Sequence, residues 1–275
     1  SSRCIAIPAF GEDPGMVSVA HLGSRPLSQQ CLERMHDHPE ITVEAVVTYP
    51  EDHEGWWDGS LYDRAQELGY PIVNEDTLFE YDLDFLVSTL YFEILDESLL
   101  EHPTYGGVNL HQAELPRYRG SNTFSHAIMN AREDDHWRYG TTLHFMSPTV
   151  DAGDIIDRKF VEITEEDTAR SLYEKTEAAS VELFEERLDD IVSGAVESMR
   201  TPQEQYESEV YFYEKTSLDG EKRITPEECQ TMDEFELYDR IRALDFPPFE
   251  PAHLCLGDGK LYLTKSLYGE VPGDG

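Results

Sequence analysis

The chain has 275 residues, with 57 Asp and Glu against 21 Lys and Arg, a formal net charge of −36. That length can bury a sizeable core as one large α/β domain with an appendage or as two modest domains, and 39% hydrophobic with 11% aromatic residues is not the composition of a disordered acidic tail. Cations are too few for sequence-independent binding of nucleic acid or of an anionic membrane surface, and no Lys occurs before Lys159. Acid excess with scarce lysine is expected of a protein adapted to molar salt, where screening removes self-repulsion; the other reading is an acidic protein from ordinary salt.

In chain order, the segment from Ser1 to Gly15 has neither a basic start nor a long apolar run, so no secretory signal is expected there and a cytoplasmic protein is the default. Met16 to Leu22 is a β-branched apolar run, predicted as a strand, which meets Gly23-Ser24-Arg25-Pro26. A helix follows with Leu27, Cys31, Leu32 and Met35 on one face. Ile41 to Tyr49 reads as a second strand, Ser60 to Gly69 as a helix closed by glycine, Asp84 to Tyr91 as a third strand and Gly106 to His111 as a fourth. Near-continuous apolar strands separated by helices imply a mostly parallel sheet covered on both faces, with ligands at the carboxyl ends of the strands.

Farther on, Thr123 to Ala131 looks helical, and Thr141 to Met146 and Ile155 to Ile163 look like strands. Thr164 with Asp167 resembles a capping box that opens a long helix ending near Ser193. The pattern turns polar around Arg200 to Glu207 and places a boundary there, giving residues 1–200 and 201–275 as two parts. The second part has a strand at Val210 to Tyr213, a helix from Met232 to Leu244, a proline-rich corner and a hairpin around Gly257-Asp258-Gly259. Its exposed aromatic and proline residues suggest a homodimer. Cys4, Cys31, Cys229 and Cys255 are far apart, so neither a disulfide framework nor a metal site is expected. No apolar run reaches the ~18–20 residues of a membrane span.

The informative region is Gly107 to Ile156. Asn109 and His111 are two apart at a strand end and share a face, which sets an amide donor for a polarising hydrogen bond beside an imidazole able to accept a proton. Taken alone, Asn-x-His is weak evidence, because a histidine near a strand end is more often a satisfied structural residue. Leu115-Pro116-Arg117-Tyr118-Arg119-Gly120 follows, and Gly140 to Met146 leads to Val150-Asp151-Ala152-Gly153-Asp154. Asp151 on its own reads as a turn residue before Gly153.

Together these segments resemble the N10-formyltetrahydrofolate-dependent formyltransferase family, over about Met16 to Asp190. The resemblance implies a three-layer Rossmann-like α/β fold with a small C-terminal α+β subdomain, and N10-formyltetrahydrofolate as formyl donor. It implies a catalytic set of Asn109, His111 and Asp151. Asn109 and His111 would stabilise the negative charge that builds on the formyl oxygen, typically by ~3–4 kcal/mol per donor, and Asp151 would orient His111. The folate pocket it implies comprises Tyr91, Phe92, Glu93 and Leu95, then Ala113, Glu114, Leu115 and Pro116, then Ser147 and Val150. Glu93 departs from members that place a cation there for the folate carboxylate. His144 and its aromatic neighbours are expected in the core.

For the acceptor, Arg119, Gly120, Ser121 and Asn122 are the candidate contacts. Gly23-Ser24-Arg25 reads equally as an acceptor-phosphate site and as an ordinary strand-to-helix turn; without GxGxxG it is no dinucleotide fingerprint. Asp154 to Ile156, Thr164 to Tyr173 and Ile241 to Phe249 resemble the enzymes acting on nucleotide-linked 4-amino sugars. Thr201 to Gly275 holds 7 basic and 17 acidic residues, net −10, and is short, a poor substitute for the larger basic barrel of the methionyl-tRNA enzymes. A nucleotide sugar is the expected acceptor. Methionyl-tRNA or another amine, transfer of the formyl group to water, and a non-catalytic folate-binding protein are the alternatives.

Overall fold

A computed structural model describes residues 15–268; Cys4 and the stretch from Ser1 considered for a leader lie outside them, as does the end of the C-terminal part beyond residue 268. The chain opens with β1 (Val17–Gly23) and α1 (Arg25–Asp37), whose early proline lacks only an N–H that the first turn could not use. Leu27, Cys31, Leu32 and Met35 turn inward from α1, as their spacing predicts. β2 (Ile41–Val47) and α2 (Leu61–Glu67) follow; the Ser60 hydroxyl caps α2 by accepting the Asp63 N–H, and Gly69, at φ 80°, ends it. Next come β3 (Phe85–Thr89), the short α3 (Glu97–Leu100) and β4 (Gly107–His111). After them lie β5 (Tyr118–Gly120), α4 (Thr123–Glu133), β6 (Arg138–Phe145), β7 (Ile155–Glu162) and α5 (Ala169–Val192). The remainder is α6 (Val196–Met199), a 3-10 turn at Gln203–Gln205, β8 (Tyr211–Tyr213), β9 (Arg223–Ile224), α7 (Glu228–Thr231), α8 (Glu234–Ala243), β10 (His253–Leu256) and β11 (Gly259–Tyr262).

The residues form two compact units. The first holds the described chain up to His111, with Thr142–Arg158 and Ser180–Glu207. Its sheet has the order β2-β1-β3-β4-β6-β7. The first four strands are parallel and β6 runs antiparallel to β4, so the sheet is mostly parallel as expected. Alternate residues feed two cores: Val17, Val19, Phe85 and Val87 pack with Leu27, Phe184 and Leu188 on one side, while Ala20, Leu22 and Leu86 pack with Leu78, Leu95 and Leu99 on the other. Burial on both faces is why these strands read as unbroken apolar runs. Their carboxyl ends line up, with Leu22 beside Val47, Gly23 beside Thr89, and Thr89 beside Leu110.

The second unit holds Gln112–Thr141, Lys159–Ala179 and the described chain from Ser208. Tyr118, Ala127, Ile128, Tyr139, Leu172 and Ala243 form its main core. Here β5 pairs in parallel with β8, and β10 lies between β9 and β11. The guanidinium of Arg242, fully buried, donates to Asp239 Oδ1 (2.8 Å) and to the carbonyls of Thr164 (2.8 Å) and Asp167 (2.9 Å). A buried cation is tolerable only with such partners, and these tie α8 to the turn before α5.

One local expectation is corrected. Thr164 and Asp167 do not cap α5: the Asp167 carboxylate accepts from both the backbone N–H and the hydroxyl of Thr164, closing a turn upstream of the helix. The reciprocal pair lies four residues later, where Ser171 N–H donates to the Thr168 hydroxyl (3.2 Å) and Thr168 N–H to the Ser171 hydroxyl (3.0 Å).

Candidate active site

In the first unit, β4 ends with Asn109 and His111 on one face, and the antiparallel register sets Asn109 opposite His144 and His111 opposite Thr142. The Asn109 amide nitrogen lies 3.0 Å from His144 Nε2, and His144 Nδ1 lies 2.8 Å from the Phe145 carbonyl. A carbonyl only accepts, so Nδ1 carries the proton; in the neutral ring Nε2 then accepts from Asn109, which fixes the way the amide faces. His144 is buried, as expected of a core residue, but its ring also sets the Asn109 side chain.

Asp151 comes from the β6–β7 loop and stands at φ 53°, a conformation that non-glycine residues adopt sparingly. Its carboxylate lies 3.6 Å from His111 Nε2 and 3.9 Å from His144 Nε2, with all three side chains largely shielded from solvent. The three residues read from the sequence are thus together, with His144 as a fourth. Gly153 has no substitute in this loop, because a Cβ there would lie 1.8 Å from the Phe145 carbonyl oxygen. Gln203, 3% exposed, donates its side-chain nitrogen to the carbonyls of both Asp151 and Gly153, at 2.8 Å each. A polar residue after a proline offered no pattern by which to find it.

The residues read as the folate pocket differ in what they offer. Leu95 is buried among Leu78, Leu99 and their neighbours, so its side chain serves the core. Phe92 stacks on Tyr49 with centroids 3.7 Å apart, and Tyr91 donates to Glu75 Oε1 at 2.7 Å. Burial, then the neighbouring Glu75 carboxylate, pushes the Tyr91 phenol well up. Glu93 is exposed, and Ile94, which no sequence pattern singles out, is 74% exposed, an apolar side chain turned out of the same loop. Ser147 closes its own turn onto the Thr149 carbonyl (2.8 Å), and Val150 is half-buried.

In the second unit, Ala113 and Leu115 are buried, and the buried Glu114 carboxylate faces His136 (2.9 Å) and Arg138. The Leu115–Pro116 peptide is cis.

The acceptor candidates also resolve unequally. Gly23 is required for space: a Cβ would meet Ser28 Oγ at 2.4 Å and the Thr89 carbonyl at 2.8 Å. Ser24 N–H donates to Ser28 Oγ and Ser24 Oγ to the Leu90 carbonyl, so the turn satisfies its own polar groups and Arg25 is its remaining charged element. Arg119 and Gly120 lie in β5 beside Phe212 and Tyr213, and Ser121 N–H donates to the Tyr213 carbonyl. The Asn122 amide donates to the Lys215 carbonyl (2.9 Å) and to Ser217 Oγ (3.2 Å), holding the 214–217 loop. Beneath it His126 stacks on Tyr213 and meets Ser217 Oγ; burial lowers its pKa to about 4. Among the described residues no group of three or more His, Cys, Asp or Glu is placed to hold a metal, and no helix is long and apolar enough to cross a membrane.

Residues 30–188 match the family model described as Formyl transferase. The methionyl-tRNA formyltransferase of Halothermothrix orenii is 30% identical over 191 residues, which are 65% of this chain and 59% of that protein's length. A 4-N formyltransferase from Francisella tularensis superposes with a TM-score of 0.74 at 17% identity, covering 92% of this chain and 98% of the other. The N-formyltransferase of Helicobacter canadensis, solved with folinic acid and dTDP-3-aminofucose, gives 0.66 at 20% identity over 84% and 81%. At these identities the structural likeness speaks to the fold.

Proposed function

The chain belongs to the formyl transferase family, and from that premise we propose that it moves a formyl group from N10-formyltetrahydrofolate to the amine of a nucleotide-linked amino sugar. The observation that carries this reading is the Asn109–His144–Asp151–His111 cluster at the end of β4. The donor, when bound, supplies a formyl carbon attached to a nitrogen that can leave. Asn109, one N–H held by His144, turns the other toward the formyl oxygen as the amine adds and charge develops there. His111 takes the proton the amine loses and returns it to the departing nitrogen as the old C–N bond breaks. Asp151 faces the imidazolium that exists between those two transfers and stabilises it. Phe92, Ile94 and Val150, in the first unit, are the apolar contacts we propose for the donor's flat rings.

Charge favours a small acceptor. Residues 48–60 contain four acids and neither Lys nor Arg, and 201–275 carry a net −10, so no cationic surface for a long polyanion arises there. The relation to the Halothermothrix orenii enzyme favours methionyl-tRNA as the second reading. The test is incubation with N10-formyltetrahydrofolate and a panel of amines at low and high KCl. Formylation of nucleotide-linked amino sugars without methionyl-tRNA is the expected result; the reverse replaces the acceptor assignment with the second reading.

A further inference from the structure

In the first unit, the loop after β2 builds an aromatic wall at the carboxyl ends of β1 and β2. Tyr49 is sandwiched between His53 (centroids 3.6 Å apart, 4° between planes) and Phe92 (3.7 Å, 9°). Trp57 stands 5.9 Å from His53 and 6.3 Å from Tyr49, tilted 32° to each. The open depression beside them is lined by Ser24, Arg25, Tyr49, His53, Trp57 and Ser60 among others. We infer that this depression is a nucleoside diphosphate site, with a flat base on Trp57 and His53 and the diphosphate on Arg25.

Three observations carry the assignment. Rings gathered in an exposed acidic loop contribute nothing to the cores below, and such rings are the kind of surface on which a base stacks. Arg25 supplies the one guanidinium of that wall; it lies 5.5 Å from the Trp56 ring and 5.7 Å from the Trp57 ring. Glu51, Asp52, Glu54 and Asp58 confine favourable anion contact to that cation, which suits a compact phosphate and repels a polynucleotide.

The third observation is position. Neighbouring strands lie about 4.8 Å apart, so the step from β4, where Asn109 and His111 sit, is about 10 Å to β1 and about 14 Å to β2. Along the aligned strand ends, an amino sugar at β4 therefore puts its diphosphate near Arg25 and its base near Trp57. This placement rests on the nucleotide-sugar reading of the acceptor.

The test is calorimetric titration of the whole chain, at one fixed KCl concentration, with dTDP, GDP and inorganic pyrophosphate, alongside Trp57→Leu, His53→Ala and Arg25→Gln. Wild type is expected to bind dTDP at least ten-fold more tightly than pyrophosphate. Trp57→Leu and His53→Ala should remove that preference and leave pyrophosphate affinity unchanged, while Arg25→Gln should weaken both ligands about ten-fold or more. Equal affinity for dTDP and pyrophosphate in wild type, absence of nucleotide binding, or dTDP affinity unchanged in both ring variants overturns the site. Formylation of a nucleotide-linked amino sugar with kcat/KM unchanged in the ring variants would leave the acceptor reading standing and remove the base site. Binding of dTDP through Trp57 without formylation of any nucleotide sugar would do the opposite.

Discussion

The side chains of Asn109 and His144 meet across the β4–β6 ladder at 3.0 Å, and the histidine is itself anchored at 2.8 Å to the carbonyl of Phe145. A strand-end amide on its own rotates; this one is held by a ring that cannot turn without losing its own hydrogen bond. His144→Phe is therefore expected to lower kcat about 100-fold, with KM for the formyl donor changed less than three-fold. Steady-state kinetics on the folded variant check this, and a kcat within two-fold of wild type would detach His144 from the reaction.

Gln203 is the corresponding anchor for the loop that carries Asp151. Replacing it by Ala removes the Gln203 donor from one buried and one half-buried carbonyl, for an expected stability loss of about 1–3 kcal/mol in denaturant unfolding. Because Asp151 faces His111, kcat should fall about ten-fold and the acidic limb of its pH profile should move. Gln203→Glu, which points a carboxylate at two carbonyls, should be worse on both counts, whereas a purely structural role would leave the pH profile in place.

Protonation gives a separate handle on stability. Burial lowers His21 and His126 from 6.5 to about 4 each. The unfolded chain therefore binds more protons between pH 6.5 and pH 4, and stability falls as pH drops through that window. The neutral rings contribute fully above pH 6.5. Denaturant midpoints at pH 7 and pH 5 should differ, and His126→Gln should flatten the difference; an unchanged slope would mean that His126 protonates freely in the folded protein.

The net charge of −36 makes a prediction about salt. At 0.1 M ionic strength the Debye length is about 10 Å and falls to about 3 Å at 1 M, so self-repulsion among exposed carboxylates is screened at high KCl. The thermal midpoint should rise steadily from 0.1 to 2 M KCl. A flat or falling midpoint would contradict adaptation to molar salt.

Most of the sheet was legible in the sequence because its strands are buried on both faces and short helices punctuate them; the predicted strand at Ile41 to Tyr49 differs from β2 only by its last two residues. A period of two put Asn109 and His111 on one face, but their catalytic role, like that of Asp151, was legible only through the resemblance to the formyltransferase family. His144 was not, since its role depends on an antiparallel register between β4 and β6, and the sequence pattern implied only a mostly parallel sheet. Thr164–Asp167 and Thr168–Ser171 both fit a helix start. The first lost because Asp167 also accepts from Ser171 Oγ and Lys175 Nζ and so closes the turn below the helix instead of capping it. The aromatic wall was not legible because Tyr49, His53 and Trp57, although spaced four apart, lie in an irregular loop with Pro50, Gly55 and Gly59, so their meeting depends on the loop's path and not on a helix.

We propose that formyl transfer takes place at the end of β4. Its most direct test is the single-turnover rate of formyl transfer from N10-formyltetrahydrofolate to a nucleotide-linked amino sugar in wild type, Asn109→Ala and His111→Ala, each with a wild-type circular dichroism spectrum. Losses of about 100- to 1,000-fold are expected for Asn109→Ala and of about 100- to 10,000-fold for His111→Ala. Wild-type rates in both variants would contradict it.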